Sequence, residues 1–517
     1  MENKFKESLL NKDTLSITWE VVPGRGATET AQEVALACAE QAAKGGKIHA
    51  ITITDMPGGN PAILADYLGM EILTKGIEPL VHFTCKDKNR NQMESQLYAL
   101  DRAKVRNLLV MTGDYPVTGY KGRPKPVFDL DPINTLKLIS QMNDGLEYEG
   151  IKGTIKHKPS DFFSGVAVSP FKANEAEQMV QYFKLKKKVA AGAQFVITNL
   201  GYDARKFHEV IQFMKCEGID IPIIANLYIL PYGAAKLMNQ NQLPGCVVTD
   251  KLLAEIDNER TAPDKGLSAR LLRAAKMYAF MKGMGFAGIH IGGHGIKYEQ
   301  VEYIIEKGEE LSTNWQDLVH EFDYPMPNGF YYFEKDTKTG LNTDVPVNRK
   351  NRSLDAPVEF VYPLSRMVHN LVFEPGKNLF GLMKSIAKKV DGSSLENLYH
   401  GIEHLGKVLM YDCKDCGDCA LLDLAYICPM SQCPKNQRNG ACGGSYYGWC
   451  EVYPNKRKCI YVKAYSRLKK YQEESKLDSY HVEPCNWDLY QTSSWINFYL
   501  GRDHSAQRLG IQKLEKK

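Results

Sequence analysis

The sequence predicts an α/β fold: a (β/α)8 TIM barrel followed by a small cysteine-rich, metal-binding C-terminal domain. Three observations carry that expectation. Eight short apolar runs recur through the first 293 residues, and helical patterns separate them. Nine of the thirteen cysteines crowd between Cys413 and Cys485.

The runs, in order, are "LSITWEV" (15–21), "HAITITD" (49–55), "EPLVHFTC" (78–85), "NLLVMTG" (107–113), "GVAVSP" (165–170), "FVITNL" (195–200), "IPIIANLYIL" (221–230) and "FAGIHIGG" (286–293). Most are rich in Val, Ile, Thr and aromatics, as strands are. The clearest helix between them is "TETAQEVALACAEQAAKGG", where Thr30 and Glu33 read as a capping box and Gly45-Gly46 as the stop. "NEAEQMVQYFKLKKKVAAGA" and "LSARLLRAAKMYAFMKGMG" behave alike. Strand–helix alternation implies right-handed parallel crossovers, and eight of them match a TIM barrel. A doubly wound open sheet is the alternative, weakened because no GxGxxG follows the first run.

At 517 residues the chain has room for two or three domains. The reading assigns 1–310 to the barrel, 311–356 to a turn-rich connection and 357–517 to the cysteine-rich domain. A net charge of +4, with no basic stripe interleaved with aromatics, gives no nucleic-acid footprint. The basic run "KLKKK" at 184–188 reads as the solvated face of a helix. The N-terminus is charged and lacks a signal-peptide core, and no apolar run approaches the roughly 18 residues of a membrane span. A soluble cytoplasmic protein is the expectation.

In a barrel of this kind, chemistry gathers at the C-terminal ends of the strands. Glu20 ends the first run and Thr54-Asp55 the second; His82 and Thr84 lie on the third. Gly113-Asp114 ends the fourth, Ser169 the fifth and Asn199 the sixth. Two acids, a histidine and an amide thus converge on one rim. Rim salt bridges are the alternative reading of Glu20 and Asp114.

The cysteine segment is spaced C-x2-C-x2-C-x8-C-x4-C-x8-C-x7-C-x8-C, at Cys413, Cys416, Cys419, Cys428, Cys433, Cys442, Cys450 and Cys459. Eight cysteines make two sets of four, the number that tetrahedral zinc or a cubane 4Fe-4S cluster requires. The C-x2-C-x2-C opening and the later Cys-Pro pairs favour iron–sulfur. A structural zinc lobe and unmetallated thiols are the alternatives, and Cys485 has no assigned role.

Taken in order, "WEVVPGRG", "TITD…GGNPA", "VHFTC", "VMTGDYP" and "KKKVAAGAQFVITN" resemble the methylenetetrahydrofolate reductases, flavin-bearing TIM barrels. The tail resembles a cysteine-rich C-terminal module found on some bacterial reductases. The resemblance implies a bound flavin, FAD or FMN, and reduction of 5,10-methylenetetrahydrofolate to 5-methyltetrahydrofolate. It makes Glu20 the general acid for ring opening at N10, with burial raising its pKa. It places Asp114 near flavin and pterin, Thr54, His82 and Gly113 on the flavin, and Lys188 on a flavin phosphate. Asn199 falls where the family usually has a folate-contacting Gln, one methylene longer. The implied partners are the folate substrate and an electron source: ferredoxin, NAD(P)H or a partner oxidoreductase subunit. A homo-oligomer is a further possibility. The competing readings are a non-redox folate- or corrinoid-linked methyltransferase, and a non-catalytic subunit whose metal lobe is an interaction module.

Overall fold

β-Branched and aromatic residues alternate with small or polar ones along each apolar run, and a strand with that period-two pattern has two distinct faces. The computed structural model describes residues 2–377 and 379–514. In it the eight runs form strands β1 (Ser16–Val21), β2 (Ala50–Ile53), β3 (Glu78–Thr84), β4 (Asn107–Met111), β5 (Phe163–Val168), β6 (Phe195–Thr198), β7 (Ile223–Tyr228) and β8 (Gly288–Gly292). They close into one barrel in sequence order, every neighbour parallel, with β1 and β8 joined at Ser16↔Gly288 through Trp19↔Ile291. The expected (β/α)8 barrel is the observed fold.

The two strand faces have different jobs. Outward residues such as Trp19, Ile53, Phe83, Val110, Val196 and Ile291 join the main core beneath the surrounding helices. Inward residues near the floor, including Leu80, Leu109, Phe163, Phe195 and Ile224, form a separate apolar cluster. A short helix, Lys4–Leu10, seals that floor by inserting Phe5 and Leu9. Phe5 meets Phe163 and Phe195 edge-on at 6.0 and 5.6 Å. With the lower half filled by hydrocarbon, polar inward side chains are confined to the upper half.

Two local expectations need correction. The helix Thr30–Gly45 is preceded by Glu29 as its cap, and the Glu29 N–H donates to the Gln32 side chain at 2.9 Å; the box is one residue earlier than Thr30 with Glu33. The basic run at 184–188 is not a solvated face. Lys184 is buried because the C-terminal lobe packs on its helix, Glu175–Ala190, and offers carbonyl oxygens, and Lys188 is buried against the barrel wall, donating to the Ala167 carbonyl.

After the barrel, a hairpin of Phe333–Lys335 and Asn342–Pro346 lies along the helix Ala204–Cys216. Arg205 holds it, donating to Asn342 Oδ1 and the Phe333 carbonyl at 2.7 Å each. The C-terminal lobe begins with helices Val361–Val368, Phe380–Val390 and Glu396–Tyr411. The cysteine segment follows with little regular structure, and then the helix Ile460–Lys469 packs on Glu175–Ala190. Ile460, Tyr461, Tyr465 and Leu468 belong to the same apolar core as the barrel helices. Among the described residues no helix is long and apolar enough to cross a membrane.

Glu175 is the polar pin of that contact. Its buried carboxylate accepts from Lys469 Nζ on both oxygens at 2.7 Å and from the Tyr465 hydroxyl at 2.7 Å. Removing the carboxylate strands a buried ammonium ion, which costs far more than an exposed pair would. Glu175→Ala is expected to lower the unfolding free energy by about 3–5 kcal/mol, and Glu175→Gln by less, in urea titrations.

Candidate functional site

The upper inward layer is built by strand parity. Thr18 and Glu20 share the inward face of β1; His290 is the β8 partner of Thr18, and Thr52 is the β2 partner of Glu20. His290 Nδ1 lies 2.9 Å from Thr18 Oγ1 and 3.5 Å from Thr52 Oγ1, and its Nε2 lies 3.4 Å from Glu20 Oε2. An ionised carboxylate only accepts hydrogen bonds, so Nε2 carries the proton that faces Glu20 and Nδ1 accepts from Thr18. Gly292 keeps space open at this point: a Cβ there would sit 3.3 Å from the Tyr228 ring and 3.4 Å from Glu20 Oε1.

Glu20 points into the mouth, its side chain 20% exposed. Burial pushes its pKa up, but the His290 hydrogen bond and the charges of His290 and His82 outweigh that, so the net shift is downward. This corrects the expectation of a carboxyl held protonated by burial. The apolar surroundings are there; the imidazole against the carboxylate reverses their effect. His82, buried on β3, is pushed down to about 4 by burial, so its ring is neutral near pH 7.

Three inward polar atoms at the mouth have no hydrogen-bond partner among the described residues: Thr54 Oγ1, His82 Nε2 and Ser169 Oγ. Buried polar atoms are rarely left so, and a bound molecule with hydrogen-bonding edges is one resolution. Asp55, beside Thr54, is already occupied: Thr84 Oγ1 donates to it at 2.6 Å and Lys88 pairs with it at 3.2 Å.

The remaining candidates are spread more widely. Asp114 lies exposed on the rim and accepts from the Gly58 N–H at 2.7 Å. Gly113 presents its carbonyl to Lys435 Nζ at 2.7 Å. Asn199 uses both ends of its amide locally, donating to the Gly245 carbonyl at 2.7 Å and accepting from the Leu200 N–H at 2.9 Å. Lys188 does not offer a phosphate seat. Its ammonium is enclosed and donates to the Ala167 carbonyl at 2.5 Å, and burial, with Lys184 nearby, pushes its pKa well down.

The C-terminal lobe covers one side of the mouth. Lys172 donates to the Gly443 carbonyl and, at 2.8 Å, to that of Ser445; Thr112 donates to Gln437 at 3.1 Å. Lys435, paired with Glu451, is thereby delivered to the ends of β4 and β5. The other side stays open, with a cavity of about 440 Å³ bordered by Gly24, Arg25, Pro57, Asn60, Ala62 and Thr118.

The eight cysteines fall into two groups. Cys413, Cys416, Cys419 and Cys428 line one small cavity, and Cys433, Cys442, Cys450 and Cys459 line another. Among the described residues no three Cys, His, Asp or Glu side chains converge closely enough to hold a single metal ion, which corrects the expectation of preformed tetrahedral sites. Local partners hold several thiols apart: Cys413 accepts from the Asp415 N–H at 3.4 Å, and Lys407 Nζ is 3.4 Å from Cys419 Sγ. Cys485 is buried and shares a hydrogen bond with Cys416. The second group lies on the segment that covers the mouth; the first lies farther out, under the helix Glu396–Tyr411.

A family profile described as "Methylenetetrahydrofolate reductase" matches residues 4–293, and one described as "Methylene-tetrahydrofolate reductase C terminal" matches residues 393–488. The chain belongs to the methylenetetrahydrofolate reductase family. Methylenetetrahydrofolate reductase 1 of Schizosaccharomyces pombe is 23% identical over 260 residues, 49% of this chain and 39% of the relative. The 5,10-methylenetetrahydrofolate reductase of Pectobacterium carotovorum is 25% identical over 166 residues, 32% of this chain and 47% of the relative. The alignments thus span less than half the length of these relatives. Among solved structures, a Clostridium thermocellum protein described as binding two copies of 5-methyl-5,6,7,8-tetrahydrofolic acid aligns with a TM-score of 0.42 and 13% identity, over 60% of this chain and 98% of that one.

His290 was not singled out from the sequence, although "GIHIG" gives it the parity of an inward residue. Nor were Thr18, Tyr228 and Lys435. The Glu20–His290 pair makes a titration testable. Because the folded pKa of Glu20 lies below its unfolded value, the pair adds stability above that unfolded value, and the contribution is lost as pH falls through the depressed folded pKa. In His290→Phe, burial loses its main opponent. The Glu20 pKa is then expected to rise above its ordinary value, read from the pH dependence of its side-chain carboxyl resonance by carbon-13 NMR.

Proposed function

We propose that this chain reduces 5,10-methylenetetrahydrofolate to 5-methyltetrahydrofolate with a bound flavin, and that Glu20 and His290 together manage the proton. The observation that carries the reading is the upper inward layer of a methylenetetrahydrofolate reductase barrel: an acid paired with an imidazole, beside three unpartnered polar atoms. Thr54, His82 and Ser169 are the groups that would hold flavin, FAD or FMN, and bound there it would supply the hydride.

The chain's own residues do the rest. Opening the five-membered ring of the substrate leaves N10 needing a proton, and an acid within hydrogen-bond reach lowers that barrier. Glu20 is the inward acid nearest the open side of the mouth. In the ligand-free barrel the His290 Nε2–H stabilises the Glu20 carboxylate. A planar ligand that closes the mouth removes the remaining water from Glu20 and raises the cost of its charge, which favours the protonated carboxyl, its proton taken from solvent before closure. His290, steadied by Thr18 and Thr52, orients the carboxyl, and solvent at the open side of the mouth reloads it. Asp114, on the rim, is the second acid and would contact the pterin.

The two groups of thiols fit 4Fe-4S clusters better than single ions. Each group of four lines one cavity, the number of thiolates that one such cluster takes. The backbone around them also bends as a chain does when it wraps a core. Seven non-glycine residues from Asp412 to Asn455 have left-handed φ, including the neighbours Ala425 and Tyr426. Loaded clusters would store single electrons, which suits a one-electron carrier such as ferredoxin as the source.

Glu20→Gln is expected to lower folate reduction by about 10²- to 10⁴-fold while flavin absorbance persists. Undiminished turnover with flavin bound would remove Glu20 from the chemistry. Anaerobically purified protein is expected to contain about eight iron atoms per chain. Zinc in place of iron would leave the thiols a structural role.

A further inference from the structure

The helix Glu396–Tyr411 is inside-out. Its inward face carries charge: Glu403 and Lys407 are buried and paired at 3.3 Å, with Ser493 and Ser494 donating to Glu403 and Lys407 reaching Ser494 at 2.6 Å. Its outward face carries hydrocarbon. Leu398 is 62% exposed, Ile402 64%, Leu405 63% and Leu409 79%. Every exposed position from Asn397 to Met410 is uncharged, in a chain that is 24% charged. A soluble helix ordinarily shows the opposite arrangement, and a contiguous exposed apolar stripe marks an interaction surface.

The spacing of the stripe says what covers it. Residues 398, 402, 405 and 409 step by four, three and four, the seam of a heptad repeat. That series reads the same in both directions, about a centre between Glu403 and His404. Gly401 and Gly406 are equidistant from the same centre. Neither glycine is required by the fold, since nothing lies within 4 Å of a Cβ built at either position. Glycine inside a helix is a poor helix former, but it lets a second backbone approach closely. A pattern symmetric about its own midpoint is complementary to an antiparallel copy of itself, which is the requirement of a two-fold, isologous contact. A transient electron carrier would be steered by charge, and this face has none.

We propose that the outward face of the helix Glu396–Tyr411 is the two-fold interface of a homodimer, packed against the same helix of a second chain in antiparallel register. Leu398 then faces Leu409 of the second copy and Ile402 faces its Leu405. The contact is independent of the flavin and folate reading. It places the first cysteine group of each chain one helix away from the dimer axis.

Light scattering on the full chain at about 10 μM should give twice the chain mass of 58.3 kDa. Ile402→Glu and Leu405→Glu put charge into the seam and should weaken association by about 100-fold or more, giving single-chain mass with the circular-dichroism spectrum of the folded chain retained. Both side chains are exposed in the single chain, so these variants fold. The double variant Ile402→Glu with Leu405→Lys sets Glu against Lys across an antiparallel pair and should recover the dimer. A wild-type protein of single-chain mass, or an Ile402→Glu protein that still runs at twice that mass, would overturn the proposal. A double variant that stays single would overturn the antiparallel arrangement.

Discussion

Everything at the mouth of this barrel depends on strand parity. Eight parallel strands each send alternate residues inward, so the interior is a stack of layers, and a residue's position in its strand fixes its height. Below, the layers are leucine, isoleucine and phenylalanine, closed from beneath by Phe5 and Leu9. Above, they are polar: Thr18 with its β8 partner His290, and Glu20 with its β2 partner Thr52, beside His82 and Thr54. The dry floor makes the upper layer costly to ionise, and the imidazole of His290 makes ionisation of Glu20 tolerable. The ionisation of Glu20 is therefore a balance between two opposing influences, burial and the His290 hydrogen bond. A carboxyl held protonated by burial alone would have no such control.

A second set of contacts ties the C-terminal lobe to the same mouth. Three buried lysines make the clasp: Lys172 and Lys184 of the barrel donate to backbone carbonyls at 440–445, and Lys435 of the lobe donates to Gly113. Lysine suits this work because one ammonium serves several carbonyls at once. The clasp explains why the lobe closes the β4–β6 side and leaves the Arg25–Thr118 side open. Substrate and cofactor would enter from the open side, while the second cysteine group abuts the closed one. The lobe is thus part of the wall of the mouth rather than an appendage.

How much of this was legible in the sequence follows from the range of each interaction. The eight strands were, because period-two hydrophobicity and helix signals are local. Glu20, Thr54, His82 and Ser169 were, because strand ends can be counted. His290 has the correct parity, but it sits one layer below the rim, and a reading that watches strand ends passes over it. The ionisation of Glu20 was misjudged for the same reason: burial is local, while the partner that reverses its effect comes from a strand 270 residues away. Lys184 reads as solvated because what buries it is a segment some 250 residues downstream. The division of eight cysteines into groups of four was implicit in their number, but the spacing did not say that their thiols would stand too far apart for one ion.

The inside-out helix brings these strands of the argument together. Its inward face cannot be apolar, because Lys407 there lies 3.4 Å from Cys419 Sγ, over the outer group of thiols. A buried lysine in turn needs an acid, which Glu403 supplies one turn away, and that acid needs donors, which Ser493 and Ser494 bring from the tail. Once the inner face is committed to charge, the helix can be stabilised by apolar packing only from outside. Its leucines then find neighbours only if another molecule supplies them. The polar chemistry beneath the helix and the hydrocarbon above it are two consequences of a single requirement, a cation beside the outer thiols.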